Sequence, residues 1–506
     1  MPVILHAPRF GTARPVAVES VLRLYSISVS VMDPRIDPCT GLGTSTFGGT
    51  GMPKIGDHAV VLGAGIGGLL AARVLSETYS RVTVIERDAL LPDSEARKGV
   101  PQGRHVHGLL PRGKDILEEL FPGFGDDMRM SGVVECDALR EVRFTMAGRT
   151  LKRVSTGHKA FQASRPHLEN QLRRRVEALS NVTIRDRCEA GAPVVDADGT
   201  RITGLAILDR SDGARETIDA DLVVASMGRA SVVPAWLDKL GYDRPVEEGT
   251  TIDIIYRSAL IQLPPNALPH DKLVTIGVRD LPPRALALFA VEGNRHILTL
   301  IGHDGEEPPK DAAGFLDFAA VIAPPDVLDA IKNGELLGDI STFRYKANLR
   351  RRYERLDRFP EGLLAVGDSL CSFSPVYGQG MTVAAIQMAV LRECLARGGN
   401  NLAARFYSAV TPEIDNAWRL TVIADGAMPH VSANASLMVR AAVAALDPVL
   451  IAAERDTAVA TTLYRVMGLV DKPSALLTPA IAARIGIANA RAVLEGLGRI
   501  LNVGRK

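Results

Sequence analysis

Cysteine is scarce in this 506-residue chain. The five residues, Cys39, Cys136, Cys188, Cys371 and Cys394, are odd in number and never form a CxxC pair. That argues against a disulfide framework or a zinc site and for a reducing compartment, so the cytoplasm is the expected location. Net charge is nearly absent as well. The 59 basic and 58 acidic residues leave +1, which removes nucleic acid and other polyanions as primary partners. No apolar run reaches the roughly 18 uncharged residues of a transmembrane helix. Even Leu437–Leu450 is interrupted by Arg440 and Asp447. What the chain has in ordinary supply is hydrophobic residues, 46%, against 23% charged. A sizeable core follows, global disorder is excluded, and the length predicts two to four structural units.

The first residues read differently from the rest. Residues 1–53 have no clear period and are rich in Gly, Ser, Thr and Pro; Gly41–Gly51 reads as a linker. The apolar patch Val21–Met32 is too broken for a secretory signal. A disordered extension is expected here, the alternatives being a targeting segment or a natural start at Met32 or Met52.

His58–Leu62 is a short β-branched apolar run and predicts a buried parallel strand. Gly63-Ala64-Gly65-Ile66-Gly67-Gly68 follows at once, then a helix over Leu69–Ser76 and a second strand over Arg81–Glu86. A GxGxxG alone is weak. Set at a strand-to-helix turn, with an acidic residue closing the next strand, it is a dinucleotide fingerprint. Gly63 permits the tight turn, Gly65 lets backbone approach a pyrophosphate, and Gly68 lets helix and strand pack closely. Ile66 and Gly67 open the helix, whose free N–H groups favour an anion. Glu86 is expected on the adenosine ribose, with Arg87 beside it also counted as a cofactor contact.

A second segment bears on which dinucleotide binds. Gly362–Val366 predicts a buried strand, followed by Gly367-Asp368, then Pro375, Gly378, Gly380 and a helix over Met381–Leu395. A carboxylate at a strand end suits ribityl hydroxyls. A helix start beyond it suits a flavin ring that gains negative charge, so FAD is the expected cofactor. Gly367-Asp368 alone would be no more than a helix cap.

With these residues in place the chain resembles class A flavoprotein monooxygenases of the hydroxybenzoate-hydroxylase-type fold, over about Lys54 to Arg397. Within that group it most resembles bacterial polyether epoxidases. The matching blocks are Gly99–Leu110 (GVPQGRHVHGLL), Ser164–Glu169 (SRPHLE), Asp221–Leu237 and Gly367–Ala384. The Gly380-Met381-Thr382 step is also similar to squalene monooxygenase. The resemblance implies an α/β fold: a Rossmann-type FAD-binding domain, an inserted antiparallel β-sheet substrate domain and a C-terminal helical extension. It places FAD contacts at Arg104 and Arg165, and flavin-end contacts at Asp368, Gly380 and Met381. Arginine suits a pyrophosphate through its bidentate fork.

The expected division is 54–235 and 340–400 for the FAD-binding domain, interrupted near 135–155. Residues 236–339 form the substrate domain and 401–506 the helical region. Alternating runs at Thr251–Leu263, Lys272–Arg279, Arg284–Val291 and Arg295–Gly302 predict the antiparallel strands. In the tail, Pro412, Pro429, Pro448, Pro473 and Pro479 are expected to break the helices. That tail reads equally as a cap on the substrate pocket and as a stabilising extension.

The activity implied is insertion of one oxygen atom, by epoxidation or hydroxylation, into an apolar organic substrate through a flavin C4a-hydroperoxide. O₂ is the co-substrate, and a polyketide- or isoprenoid-like molecule is the substrate the resemblance favours. No side chain is assigned a catalytic role, because the cofactor carries the chemistry. His105 and His107 would share a face in a strand, but no third ligand accompanies them, so no metal is expected. One departure concerns the electron source. Where class A hydroxylases carry Asp-Gly after this strand, the chain has Met227-Gly228. NAD(P)H and a separate flavin reductase therefore both stand as reductants. A cyclase or prenyl-chain reductase without net oxygenation, and a non-catalytic flavoprotein scaffold, are the alternatives. The absence of the WxWxIP signature argues against a halogenase, for the only tryptophans are Trp236 and Trp418.

Overall fold

The run that ends at Leu62 is apolar throughout because it lies at the centre of a sheet covered on both faces. In a computed structural model that describes residues 53–91, 96, 97, 99–277 and 283–503, it forms β1, Gly56–Leu62. The extension expected over 1–53 lies, but for its last residue, outside the described residues. α1 (Ile66–Thr78) and β2 (Tyr79–Ile85) follow. Later segments add α2 (Arg165–Glu177), β3 (Val182–Arg185), β4 (Leu222–Ala225) and β5 (Leu363–Ala365). The five strands pair in the order β5-β4-β1-β2-β3, all parallel. α3 (Gly380–Ala396) packs beside α1.

The second sheet is seven-stranded. Its order is Glu335–Ala347, Thr251–Gln262, Arg295–His303, Arg284–Val291, Leu273–Gly277, Val142–Met146 and Arg149–Thr150. All neighbours are antiparallel except Leu273–Gly277 and Val142–Met146. Four of these strands match the alternating runs. The long edge strand Glu335–Ala347 and the two strands near 142–150 were not anticipated, since their pattern is half-exposed and weakly alternating. One face carries Ala259, Ile261, Leu286, Leu288, Leu298 and Leu300 under two helices, Ala312–Ile322 and Pro325–Lys332. The other face, with Tyr256, Ser258, Phe289 and Thr299, turns toward the loop after Arg104.

The tail is helical: α4 (Leu402–Gly426), α5 (Leu437–Ala453), α6 (Thr457–Met467) and α7 (Pro479–Val503). α4 joins the core of the parallel sheet. α5, α6 and α7 build a separate core with Ala138, Leu139 and Leu151, at the far end of the second sheet. Two prolines expected to end helices do not. Pro412 and Pro448 lie inside α4 and α5. A proline frees the carbonyl four residues earlier. Here those residues, Ser408 and Ala444, are exposed, which leaves the freed carbonyls on the solvent side of each helix. Pro429, Pro473 and Pro479 do open new helical segments.

Candidate active site

The glycine turn between β1 and α1 has a distinct reason for each glycine. Gly63 has φ +98°, and a Cβ there would stand 2.5 Å from the Ser226 carbonyl oxygen. A Cβ at Gly68 would stand 1.8 Å from the Gly63 carbonyl oxygen, so helix and strand meet only through glycine. At Gly67 the Ser226 hydroxyl would be 2.8 Å away. Gly65 differs: nothing among the described residues lies within 4 Å of its Cβ position. It caps α1 without any side-chain hydrogen bond, and no acidic residue sits in the first turn. The N–H groups that open α1 at Ile66 therefore face a space with room for an anion.

A chain of buried charges runs along this space. Glu86 closes β2 and accepts from Ala64 N at 2.8 Å and Asp88 N at 2.9 Å. Arg97 bridges Glu86, at 3.0 Å, and Glu169. Glu169 in turn accepts from Nε and Nη2 of Arg165, both at 3.3 Å, at the start of α2. Ser164 caps that helix. Two predicted residues stand apart from the group. Arg87 is exposed, with Asp88 4.0 Å away. Arg104 is exposed, and its side chain makes no hydrogen bond among the described residues.

At the other end, β5 leads into Gly367, φ +62°, whose N–H donates to Gln387 Oε1 at 2.6 Å. Asp368 comes next. Its nearest charges are Arg165 and Arg229, but burial outweighs them and raises its pKa above the ordinary carboxylate value. Among the described residues no hydrogen bond reaches its carboxylate. A Cβ on Gly380 would lie 3.9 Å from Asp368 Oδ1, and Met381 is buried in the first turn of α3. α3, like α1, starts without a side-chain cap.

The loop after Arg104 borders this end. His105 Nδ1 meets Ser258 Oγ at 2.7 Å, while its buried Nε2 has no partner among the described residues; burial pushes its pKa down to about 4. His107 Nδ1 approaches the His105 carbonyl at 2.9 Å, and burial, then Arg165, pushes it down to about 3. Both are thus neutral near pH 7. They lie in a loop and not in a strand, so they do not share a face. A surface cavity of about 580 Å³ near Arg140 and Arg153 lies elsewhere, at the edge of the second sheet. Arg153 there is already paired with Asp271.

The open cradle at Gly65 and the unpartnered Asp368 are complementary to a long molecule, anionic in the middle and hydroxylated toward one end. These features fit FAD. The sequence model of the FAD binding domain family matches residues 58–400. The chain belongs to this family. It is an FAD-dependent oxidoreductase of the class A flavoprotein monooxygenase type. It is 36% identical over 437 residues to Protein Rv3254 of Mycobacterium tuberculosis (strain ATCC 25618 / H37Rv), covering 84% of this chain and 91% of that one. It is 26% identical over 400 residues to 6-methylpretetramide 4-monooxygenase of Streptomyces rimosus, covering 73% and 84%. Among solved structures, a flavoprotein/dehydrogenase from Cytophaga hutchinsonii superposes with a TM-score of 0.63 at 15% identity, covering 87% and 100%.

Several residues of this flavoprotein site were not singled out from the sequence. Arg97 falls in a stretch with no periodicity. Arg229 donates to the Ala347 carbonyl and lies over the Tyr345 ring at 5.4 Å. Its block, Asp221–Leu237, carries part of the resemblance, but no role was read for this arginine. Met227, in the place of an aspartate, packs against the apolar core.

Proposed function

We propose that this chain is an FAD-dependent monooxygenase that adds one oxygen atom to an apolar organic substrate by epoxidation or hydroxylation. The observation that carries the reading is the pairing of an open glycine cradle at Gly65 with a half-buried Asp368 whose carboxylate has no hydrogen-bond partner among the described residues. Gly63, Gly65, Ile66, Gly67 and Gly68 would hold the pyrophosphate. Glu86 would take the ribose, Arg97 and Arg165 would balance the phosphate charge, and Asp368, Gly380 and Met381 would hold the flavin end. Bound flavin supplies reductive activation of O₂ and delivery of one oxygen atom. The protein's part is to orient the substrate and exclude water. The sheet face with Tyr256, Phe289 and Thr299 is proposed as the substrate side, with neutral His105 beside it. A relative named for oxygenating 6-methylpretetramide supports an organic substrate of comparable size.

The electron source is proposed to be NAD(P)H or a separate flavin reductase. Met227 favours the reductase, because its packed side chain offers no carboxylate. The same observation supports a second reading, in which the flavin serves a cyclase or prenyl-chain reductase. The test is to supply the FAD-loaded protein with reduced flavin, O₂ and a panel of alkenes and aromatics. Substrate-dependent O₂ uptake with a product heavier by one oxygen supports oxygenation. Products of unchanged mass, or with added hydrogen only, would establish the second reading instead.

A further inference from the structure

The first tail helix reaches into this site. Along one face of α4, Trp418, Thr421 and Asp425 follow at helical spacing and grip the segment that leads into α3. Trp418 packs edge-on against Phe373, ring centroids 6.0 Å apart. Thr421 Oγ1 donates to Gln379 Oε1 at 3.0 Å. Asp425 is 2% exposed. Its Oδ1 accepts from the Tyr377 hydroxyl at 2.6 Å, and its Oδ2 accepts from Asn348 Nδ2. Asn348 Oδ1 accepts in turn from Ser374 N at 2.6 Å. One carboxylate therefore ties down both the base and the tip of the turn Ser374–Gly378.

That turn borders the end of the pocket that holds Asp368. Gly378, φ +63°, lies beside the loop after Arg104: a Cβ there would be in ordinary contact with the Gly108 carbonyl oxygen, 3.7 Å away. Gly380, two residues on, approaches Asp368. Burying a carboxylate is costly unless its oxygens accept hydrogen bonds, so the charge and the turn geometry depend on each other. We propose that Asp425 is a positioning residue of this site, which fixes the backbone of Ser374–Gly380 beside Asp368 from the C-terminal helix. What the turn presents itself to rests on the flavin reading above; the anchoring of the turn does not.

The groups facing Asp425 are Tyr377 on the turn, His430 on the short helix Pro429–Ser432, and Tyr256 beyond Tyr377 on the second sheet. His303 faces His430. Tyr256 approaches Ser374 and Val376, yet its hydroxyl and Ser374 Oγ lack partners within hydrogen-bond geometry among the described residues. Burial pushes Asp425 up to about 6, against the pull of Tyr377, Asn348 and His430. An opened turn would return the carboxyl to the ordinary range near 3.8. The closed turn thus binds a proton more tightly. Closure is fully supported below the ordinary value and weakens as pH rises to about 6, levelling off above.

Amide hydrogen exchange on the full chain tests this, corrected for intrinsic rates. Asp425→Ala is expected to speed exchange at Ser374 and Val376–Gly380 by roughly tenfold, with β1 and α1 unchanged. Tyr377→Phe gives a smaller change in the same segment. Asp425→Asn keeps protection, since its carbonyl accepts from Asn348 and its amide donates to the Tyr377 oxygen, but it loses the rise in opening between pH 4 and 6. Wild-type exchange in this segment by Asp425→Ala, or a wild-type pH profile in Asp425→Asn, overturns the proposal. If Asp425→Ala also unprotects β1, the Tyr377→Phe and Asp425→Asn results decide. FAD is titrated in a separate arm. Failure of the wild type to bind it would sink the flavin reading, while the exchange result still decides the positioning role.

Discussion

At one end of the pocket the turn, the helix start and the acidic partner all lie within the unbroken run from Gly63 to Glu86, and local backbone fixes their geometry. At the other end, Arg229, Asn348, Asp368, Ser374–Gly380 and Asp425 come from segments far apart in the chain, and side-chain hydrogen bonds hold them together. The first end is rigid because no residue but glycine fits at Gly63 and Gly68. The second is held by hydrogen bonds that link Asn348, Ser374, Tyr377 and Asp425. A local motif fails all at once when a single atom is added. A distributed one fails in degrees, as single bonds are removed.

The largest expected effect belongs to the first end. Gly68→Ala places a methyl group 1.8 Å from a backbone oxygen, which no rotamer change relieves. A loss of more than about 3 kcal/mol in urea unfolding is expected, together with loss of FAD binding. A wild-type unfolding midpoint would show that the turn is not the rigid part.

Next comes the charge chain that joins the two ends. Arg97→Met leaves Glu86 and Glu169 buried without their shared cation. A cost of about 3 kcal/mol is expected, measured by the same unfolding. A much smaller loss would mean that the carboxylates are already neutralised by other groups.

The smallest effect is predicted at Asp368. Its carboxylate lacks a hydrogen-bond partner among the described residues and burial disfavours its charge. Asp368→Ala should leave the FAD-free protein as stable as the wild type, or more so, because an unfavourable buried charge is removed. FAD affinity should fall about tenfold, the worth of a hydrogen bond to a charged group. A clear drop in stability without FAD would give Asp368 a structural role instead.

The same contrast explains what could be read from the residues alone. The strand before Gly63, the helix after it and Glu86 were legible because motif and period occupy one continuous stretch. β5, Gly367-Asp368 and α3 were legible for the same reason, with bounds within a few residues. Arg97 was not, because its pairing with Glu86 and Glu169 depends on how α2 docks. The grip of α4 on Ser374–Gly380 was invisible: Thr421 and Asp425 look like ordinary polar residues in a helix broken on paper by Pro412. That proline sits inside the helix because packing of Phe406, Tyr407 and Trp418 outweighs the lost backbone bond. The long edge strand Glu335–Ala347 was missed because alternation is weak where one face is partly solvated.

If FAD lies between the first turn of α1 and Asp368, as proposed, Gly65→Ala separates binding from folding. The added methyl meets no atom of the described residues within 4 Å. An unfolding midpoint equal to the wild type is expected, with an FAD affinity at least about tenfold weaker in equilibrium titration. Wild-type FAD affinity in Gly65→Ala would mean that FAD does not lie against this turn.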